Sequence, residues 1–347
     1  MRAVVLTGER EVAVEEVADA RLPGPDGAVI AVEQTAICGS DLHLYHGDIP
    51  AIGVHLGHEA VGRVVEVGHE VATMAVGDRV LVSGIVGCGR CAECRAGDPA
   101  LCRAGGMTVF GTTPELPGGQ AEALAVPAAD TFALRVPDGV TAEQAVLLTD
   151  ILPTGYLAAQ RADIRPGSTV AVIGLGPVGI LALQCCALFG AARVLAVDTV
   201  ADRLARAAAM GAEPVDATGG GGAAGVLELT GGRGADSVIE AVGLAGTIAD
   251  AVTAAAPGAT VSVVGVTVDM ALPFPMALVL LKKLTVRATV AAIPGTWPAL
   301  LALLAAGRLR PESVFTHRMG LSEAPLAYAM FDARQEGVLK ILLEPGA

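Results

Sequence analysis

Four cysteines, Cys88, Cys91, Cys94 and Cys102, fall within 15 residues in the spacing C-x2-C-x2-C-x7-C. Thiolates bind zinc at about 2.3 Å, and tight loops can bring four of them to one tetrahedral centre. Gly89, Gly97 and Pro99, in and between these positions, suit such loops better than a helix or strand. Four sulfur ligands leave no open position for a substrate, so this centre is expected to be structural. Two disulfides or four unrelated thiols are the alternatives. They are disfavoured because the other three cysteines do not complete a secreted disulfide framework.

A second pattern, Gly174-Leu175-Gly176-Pro177-Val178-Gly179, is a G-x-G-x-x-G that follows an apolar run at 170–173 and opens a helical stretch. The first glycine permits a tight turn, the second lets a pyrophosphate approach the backbone, and the third allows close helix–sheet packing. The helix N-terminus adds N–H groups and a positive dipole end. Asp198 lies 24 residues after Gly174, at the end of the next expected strand. A carboxylate there bonds ribose hydroxyls and repels a 2'-phosphate, which favours NAD(H) over NADP(H). Arg203 argues the other way, since a guanidinium can accept a phosphate. The bland reading is a glycine-rich turn with no ligand.

Three further stretches carry ligating or titrating groups. Cys38 sits in Ile37-Cys38-Gly39-Ser40-Asp41-Leu42-His43, His58 in Gly57-His58-Glu59, and Asp150 in Leu148-Thr149-Asp150-Ile151-Leu152-Pro153-Thr154-Gly155. Taken singly, these read as a buried thiol, a surface histidine and a helix acid. Spacing alone cannot unite residues so far apart.

The elements that must position these groups divide the chain in two. Valine-rich stretches with period two at 28–33, 60–67 and 78–82, separated by turn signals, predict a mostly β domain with the cysteine lobe (86–103) inserted. Residues 141–162 read as one helical stretch capped by Thr141. Strands at 169–173, 193–197, 237–241 and 260–265 then alternate with helices at 179–189 and 202–210, predicting a doubly wound parallel sheet. A helix at 297–306 and a strand at 338–343 close the chain, and that strand could rejoin the first domain. The expected domains are 1–150, 151–287 and a tail 288–347.

Composition excludes some functions. The 347 residues carry a net charge of -13, which argues against general nucleic-acid binding. Mean hydropathy is high, at +0.59. Yet the longest charge-free run, 166–192, is broken by Gly167, Gly174, Gly176, Pro177 and Gly179, so no membrane span is expected. The first 16 residues become charged too soon for a signal peptide, and the thiols suit a reducing cytoplasm.

The Cys38 and Gly57-His58-Glu59 motifs, the four-cysteine lobe, the nucleotide fingerprint and the Thr316-His317 … Lys340 tail occur in an order and spacing that resembles the zinc-dependent medium-chain dehydrogenase/reductase family, alcohol dehydrogenases included. The resemblance spans the whole chain. It implies an α/β protein with a GroES-like, mostly β catalytic domain that includes the C-terminal tail, a Rossmann domain between, and an active site in the cleft. It further implies that Cys38, His58 and Asp150 ligate a catalytic zinc with one open position, with Glu59 behind the metal. Ser40 and His43 would carry the alcohol proton to solvent, and Asp41 would support the site. Lys340 matches a basic residue near the cofactor pyrophosphate, and Val264, Gly265 and Val266 match the backbone facing the nicotinamide amide. The implied activity is reversible hydride transfer between an alcohol (aldehyde or ketone in reverse) and NAD(H), with two zinc ions per chain, in a homodimer or homotetramer. Aspartate at Asp150 is similar to the formaldehyde-dehydrogenase-like and secondary-alcohol branches. A formaldehyde dehydrogenase or dismutase, a polyol or amino-alcohol dehydrogenase, and a noncatalytic nucleotide- and zinc-binding protein are the alternatives.

Overall fold

The apolar run Ala3–Leu6 lies in a strand, and the N-terminal residues pair as an antiparallel hairpin, Arg2–Gly8 with Glu11–Glu16. The sequence reading missed this hairpin. The computed structural model describes residues 1–346, which fall into two units, Met1–Pro153 with Ala291–Ala347, and Thr154–Val290. Each boundary lies three residues beyond the expected one, 153 against 150 and 290 against 287.

The first unit is built on the strand Ala28–Ala36, which pairs antiparallel with Ala60–Val67, Ala123–Val126 and the tail strand Lys340–Glu344. Leu342 stands opposite Ala36, so the C-terminal segment completes the sheet begun near the N-terminus. One apolar cluster joins Val4, Leu44, Leu56, Tyr328 and Ile341. Another joins Ile30, Val64, Val80, Phe110 and Phe132. The aromatic residues Tyr45, Phe110 and Trp297 are each buried to 6% exposure or less and pack into the interior.

The helical stretch 141–162 is broken in two, Ala142–Leu147 and Ile151–Arg161. Thr141 caps the first helix, with reciprocal bonds to Gln144. The break has a local cause. Pro153 has no N–H to give the carbonyl of Thr149, four residues earlier. That carbonyl instead accepts the Gly84 amide at 2.9 Å, and the Leu148 carbonyl accepts the Trp297 indole N–H at 2.9 Å. Asp150 stands in the gap.

The second unit is a six-stranded parallel sheet. Its order across the sheet is Glu213–Asp216, Ala191–Asp198, Ser168–Ile173, Ala235–Glu240, Ala255–Val263 and Thr285–Ala288. In chain order this is 3-2-1-4-5-6, the doubly wound arrangement whose strand order reverses beside the first strand. The central strands Ser168–Ile173 and Ala235–Glu240 are buried on both faces, as expected of parallel strands covered by helices.

Candidate metal centres and nucleotide site

Cys38 lies in the turn that leads from the central strand Ala28–Ala36 into the short helix Asp41–Tyr45. His58 precedes the neighbouring strand Ala60–Val67. Gly57 sets up its approach with φ +98°, and a Cβ there would stand 2.4 Å from Cγ of Gln120. Asp150 enters from the helix break. Potential ligand atoms of Cys38, His58, Glu59 and Asp150 all lie within 4.8 Å of one another.

The distances suit a metal ion. His58 Nε2 is 3.2 Å and Cys38 Sγ 3.4 Å from Asp150 Oδ2. Ligands about 2.0–2.3 Å from a zinc ion stand roughly 3.3–3.8 Å apart at tetrahedral angles. Ser40 Oγ is 3.2 Å from His58 Nε2 and 3.4 Å from Cys38 Sγ, beside the centre. One sulfur, one imidazole and one carboxylate form a three-ligand set of the kind catalytic zinc uses. Burial raises the Cys38 thiol, and the charge of Asp150 raises it further. A divalent cation opposes both effects by favouring the thiolate.

The supporting residues are buried. Asp41 Oδ2 accepts the Cys38 amide at 3.0 Å, and its Oδ1 stands 3.1 Å from His58 Nδ1, with the ring turned off the line of a good hydrogen bond. Burial by itself would lower the imidazole of His58, but the charges of Asp41 and Cys38 outweigh it and hold it well above its ordinary value. Burial would raise the carboxyl of Asp150, but hydrogen bonding to His58 and the imidazole charge outweigh it and lower the carboxyl. His43 lies on the short helix with Nδ1 3.0 Å from Asp48 Oδ2, and its side chain is partly exposed.

Lys340, which the resemblance sets near the cofactor pyrophosphate, has a fully buried side chain. Its ammonium donates to Glu59 Oε1 at 2.5 Å and to the Ile37 carbonyl at 2.9 Å. The pairing of Lys340–Glu344 with the central strand places it there, because Leu342 opposite Ala36 turns Lys340 inward beside Ile37. No pattern signalled this pair, whose members lie 281 residues apart.

The four lobe cysteines also converge, with their sulfurs within 4.8 Å of one another, and all seven cysteines are free thiols. The Cys88 amide donates to Cys102 Sγ, and the Cys91 amide to Cys88 Sγ, each at 3.3 Å. Backbone N–H groups, that of Cys88 foremost, lower the Cys102 thiol to about 6. Burial is the main cause raising Cys94 to about 12. Amides aimed at sulfur and no open position suit a closed structural centre.

In the second unit, Gly174 follows the first parallel strand with φ +88°, and Pro177 begins the helix Pro177–Cys186 with Val178 in its first turn. A Cβ on Gly179 would stand 1.8 Å from the Gly174 carbonyl oxygen, so helix and strand pack too closely for any side chain. Asp198 ends the adjacent strand, but its carboxylate has backbone partners that the sequence did not signal. Oδ2 accepts the Leu175 amide at 2.6 Å, while Oδ1 accepts those of Thr199 and Val200 at 2.7 and 2.9 Å. Three such bonds leave room for one more on the two oxygens. An Arg203 guanidinium nitrogen lies 3.9 Å from Asp198 Oδ2.

Glu240 was also missed. It is fully buried at the end of its strand, and Oε1 accepts from the Val242 and Gly243 amides and the Thr247 hydroxyl at 2.8–2.9 Å. Its backbone carbonyl accepts the Val264 and Gly265 amides, tying down the segment that continues to the half-exposed Val266.

Comparison with known proteins places the chain in a family. Residues 24–138 match the model of an alcohol dehydrogenase GroES-like domain, and residues 177–306 that of a zinc-binding dehydrogenase. A probable zinc-binding alcohol dehydrogenase of Mycobacterium tuberculosis is 51% identical over 99% of this chain and 89% of its own. A glutathione-independent formaldehyde dehydrogenase of Pseudomonas aeruginosa is 39% identical over 62% of this chain and 58% of its own. The solved structure of the alcohol dehydrogenase TADH from Thermus sp. ATN1 superposes with a TM-score of 0.91 at 42% identity, covering 99% of both chains. With this architecture and these matches, the chain belongs to the zinc-dependent medium-chain dehydrogenase/reductase family, as a GroES-like domain joined to a Rossmann domain.

Proposed function

We propose that this oxidoreductase is an alcohol dehydrogenase that exchanges hydride between an alcohol, or an aldehyde or ketone in reverse, and NAD(H). The observation that carries the reading is the three-ligand set Cys38, His58 and Asp150, with the Ser40 hydroxyl within 3.4 Å of two of them. Zinc bound there supplies a Lewis acid that polarises an oxygen. The four lobe cysteines would hold a second, structural zinc. Ser40 Oγ would accept the alcohol proton. Handed on from Ser40, the proton would reach the partly exposed His43, which would release it to solvent. Asp198 would use its remaining acceptor site on the adenosine ribose, with Arg203 beside it. Val264, Gly265 and Val266 would face the nicotinamide.

The edge strand Thr285–Ala288, paired on one side only among the described residues, and the exposed Leu280 and Leu281 support a homodimer or homotetramer assembled through residues 260–268 and 285–290. No helix among the described residues is long and apolar enough to cross a membrane. A cytoplasmic location is proposed from the free thiols.

The test is initial rates of nicotinamide reduction by zinc-loaded protein across primary, secondary, aromatic and polyol alcohols, with NAD and NADP in parallel. A rate with NAD that Cys38→Ser abolishes, while the circular dichroism spectrum is kept, supports the reading. Full activity in Cys38→Ser would refute it. The likeness to a glutathione-independent formaldehyde dehydrogenase favours a second reading, a formaldehyde dehydrogenase, with a dismutase that retains its nucleotide as the variant to test. Copurified nicotinamide and aldehyde turnover without added NAD would identify it.

A further inference from the structure

We infer that Gln120 and Tyr328 are positioning residues for the Cys38–His58–Asp150 centre, acting on His58 through Asp41. The inference deepens the proposed function and rests on a metal occupying that centre.

A directed chain of contacts carries it. The Tyr328 hydroxyl donates to Gln120 Oε1 at 2.8 Å. A phenol at neutral pH has one hydrogen to give. Asp41 and the Ala36 carbonyl can only accept, so the end of the Gln120 amide that faces them is the nitrogen and the end that faces Tyr328 is Oε1. Gln120 Nε2 donates to Asp41 Oδ2 and to the Ala36 carbonyl, each at 3.2 Å. Asp41 Oδ2 thereby receives Gln120 and the Cys38 amide, so the carboxylate is held from two sides while Oδ1 faces His58 Nδ1 at 3.1 Å. Although the ring is turned off the line of a good hydrogen bond, the negative charge 3.1 Å from Nδ1 favours the ring hydrogen there and leaves the lone pair on Nε2. Nε2 is the atom that faces Asp150 and Ser40.

Burial makes the chain consequential. Asp41, Gln120 and Tyr328 are each at most 1% exposed, so water does not substitute for a missing partner. Packing adds a second connection. Gln120 Cγ fills the space beside Gly57 where a Cβ would stand, so Gln120 abuts the residue before His58 as well as its carboxylate. Tyr328 comes from the tail helix Ala324–Asp332, 208 residues from Gln120, and its ring lies 5.3 Å, centroid to centroid, from that of Tyr45 on the other side. If the phenol served only to fill space, phenylalanine would serve equally well.

The experiment compares full-length wild type, Gln120→Leu and Tyr328→Phe. Zinc affinity at each centre is measured by chelator competition, and the visible spectrum is recorded with cobalt(II) in the Cys38 centre. Loss of an outer partner of a ligating histidine typically weakens metal binding by 10–100-fold. Gln120→Leu is expected to weaken the Cys38 centre by about 10-fold or more, and Tyr328→Phe by severalfold. Both should shift the cobalt bands and leave the four-cysteine zinc unchanged. Should Gln120→Leu fail to fold, Tyr328→Phe, which removes one oxygen atom, decides the matter. Unchanged affinity and spectra in a folded variant, beside a wild type that binds two zinc ions, would overturn the inference alone. A wild type that binds zinc only at the four cysteines would overturn both the inference and the proposed function.

Discussion

Replacing Lys340 with methionine should unfold the first unit far more readily than an ordinary surface change would. Lys340 and Glu59 are both fully buried, and the ammonium is the hydrogen-bond partner of Glu59 Oε1. Glu59 Oε2 has no hydrogen-bond partner among the described residues. The substitution strands a carboxylate in the interior, where breaking a buried pair costs about 3–5 kcal/mol. Removing both charges in Lys340→Met/Glu59→Gln should restore most of that loss, because the penalty comes from the unpaired ion. Burial already raises the Glu59 carboxyl against the opposing charge of Lys340. Without the lysine it rises further above the unfolded value. A group raised in the folded state favours folding below its unfolded pKa, and that contribution is lost as pH rises. The Lys340→Met deficit should therefore grow from about pH 4 upward and shrink in acid. The chain has one tryptophan, Trp297, buried in the same unit with its indole bonded to the Leu148 carbonyl, so its fluorescence reports this unit's unfolding. With a urea slope of about 2–3 kcal/mol/M, the midpoint should fall by roughly 1–2.5 M at neutral pH. A shift under about 0.3 M, or a double variant no more stable than the single one, would refute the reasoning.

Three further outcomes follow from the geometry. Cys91→Ser should reduce zinc content from two ions per chain to one and speed proteolytic cleavage within 86–103, as read by metal analysis and limited digestion, because metal binding and local folding are coupled there. Gly179→Ala would drive a methyl group into the Gly174 carbonyl, at 1.8 Å before relaxation, so nucleotide binding by calorimetry should fall at least 10-fold even where the second unit stays folded. Asp130 accepts the Ala72 and Thr73 amides and the Thr73 hydroxyl. Burial would raise its carboxyl, but these donors, the hydroxyl first, outweigh it and lower it. Asp130→Ala should cost about 1 kcal/mol at neutral pH. The wild-type advantage, present above about pH 4, should vanish as pH falls through the lowered folded value, a trend that urea midpoints at several pH values would reveal.

What the sequence determined by itself is what short-range geometry controls. Four cysteines within 15 residues can meet only in a tight lobe, and they do meet. The glycine fingerprint could be placed between strand and helix because each glycine answers a local demand, the turn at Gly174 and the close approach at Gly179. The order of strands and helices was readable in outline for the same reason, since burial on both faces leaves continuous apolar runs. The helix break at Asp150 was also written locally, in Pro153, but its effect is evident only once the Thr149 carbonyl it frees finds the Gly84 amide.

Tertiary structure decided which long-range partners each polar side chain keeps. Lys340 meets Glu59 because a strand register sets Leu342 opposite Ala36, and no local pattern encodes that register. Gln120 and Tyr328 reach Asp41 through separate segments of the same core. Asp198 and Glu240, plain strand-end acids in the sequence, are tied to backbone amides of the turns around them. Inside the core, water is not available to satisfy an ammonium, an amide or a carboxylate, so each must take the partner that packing brings within about 3 Å. That requirement binds residues hundreds of positions apart, and only the folded chain reveals which ones meet.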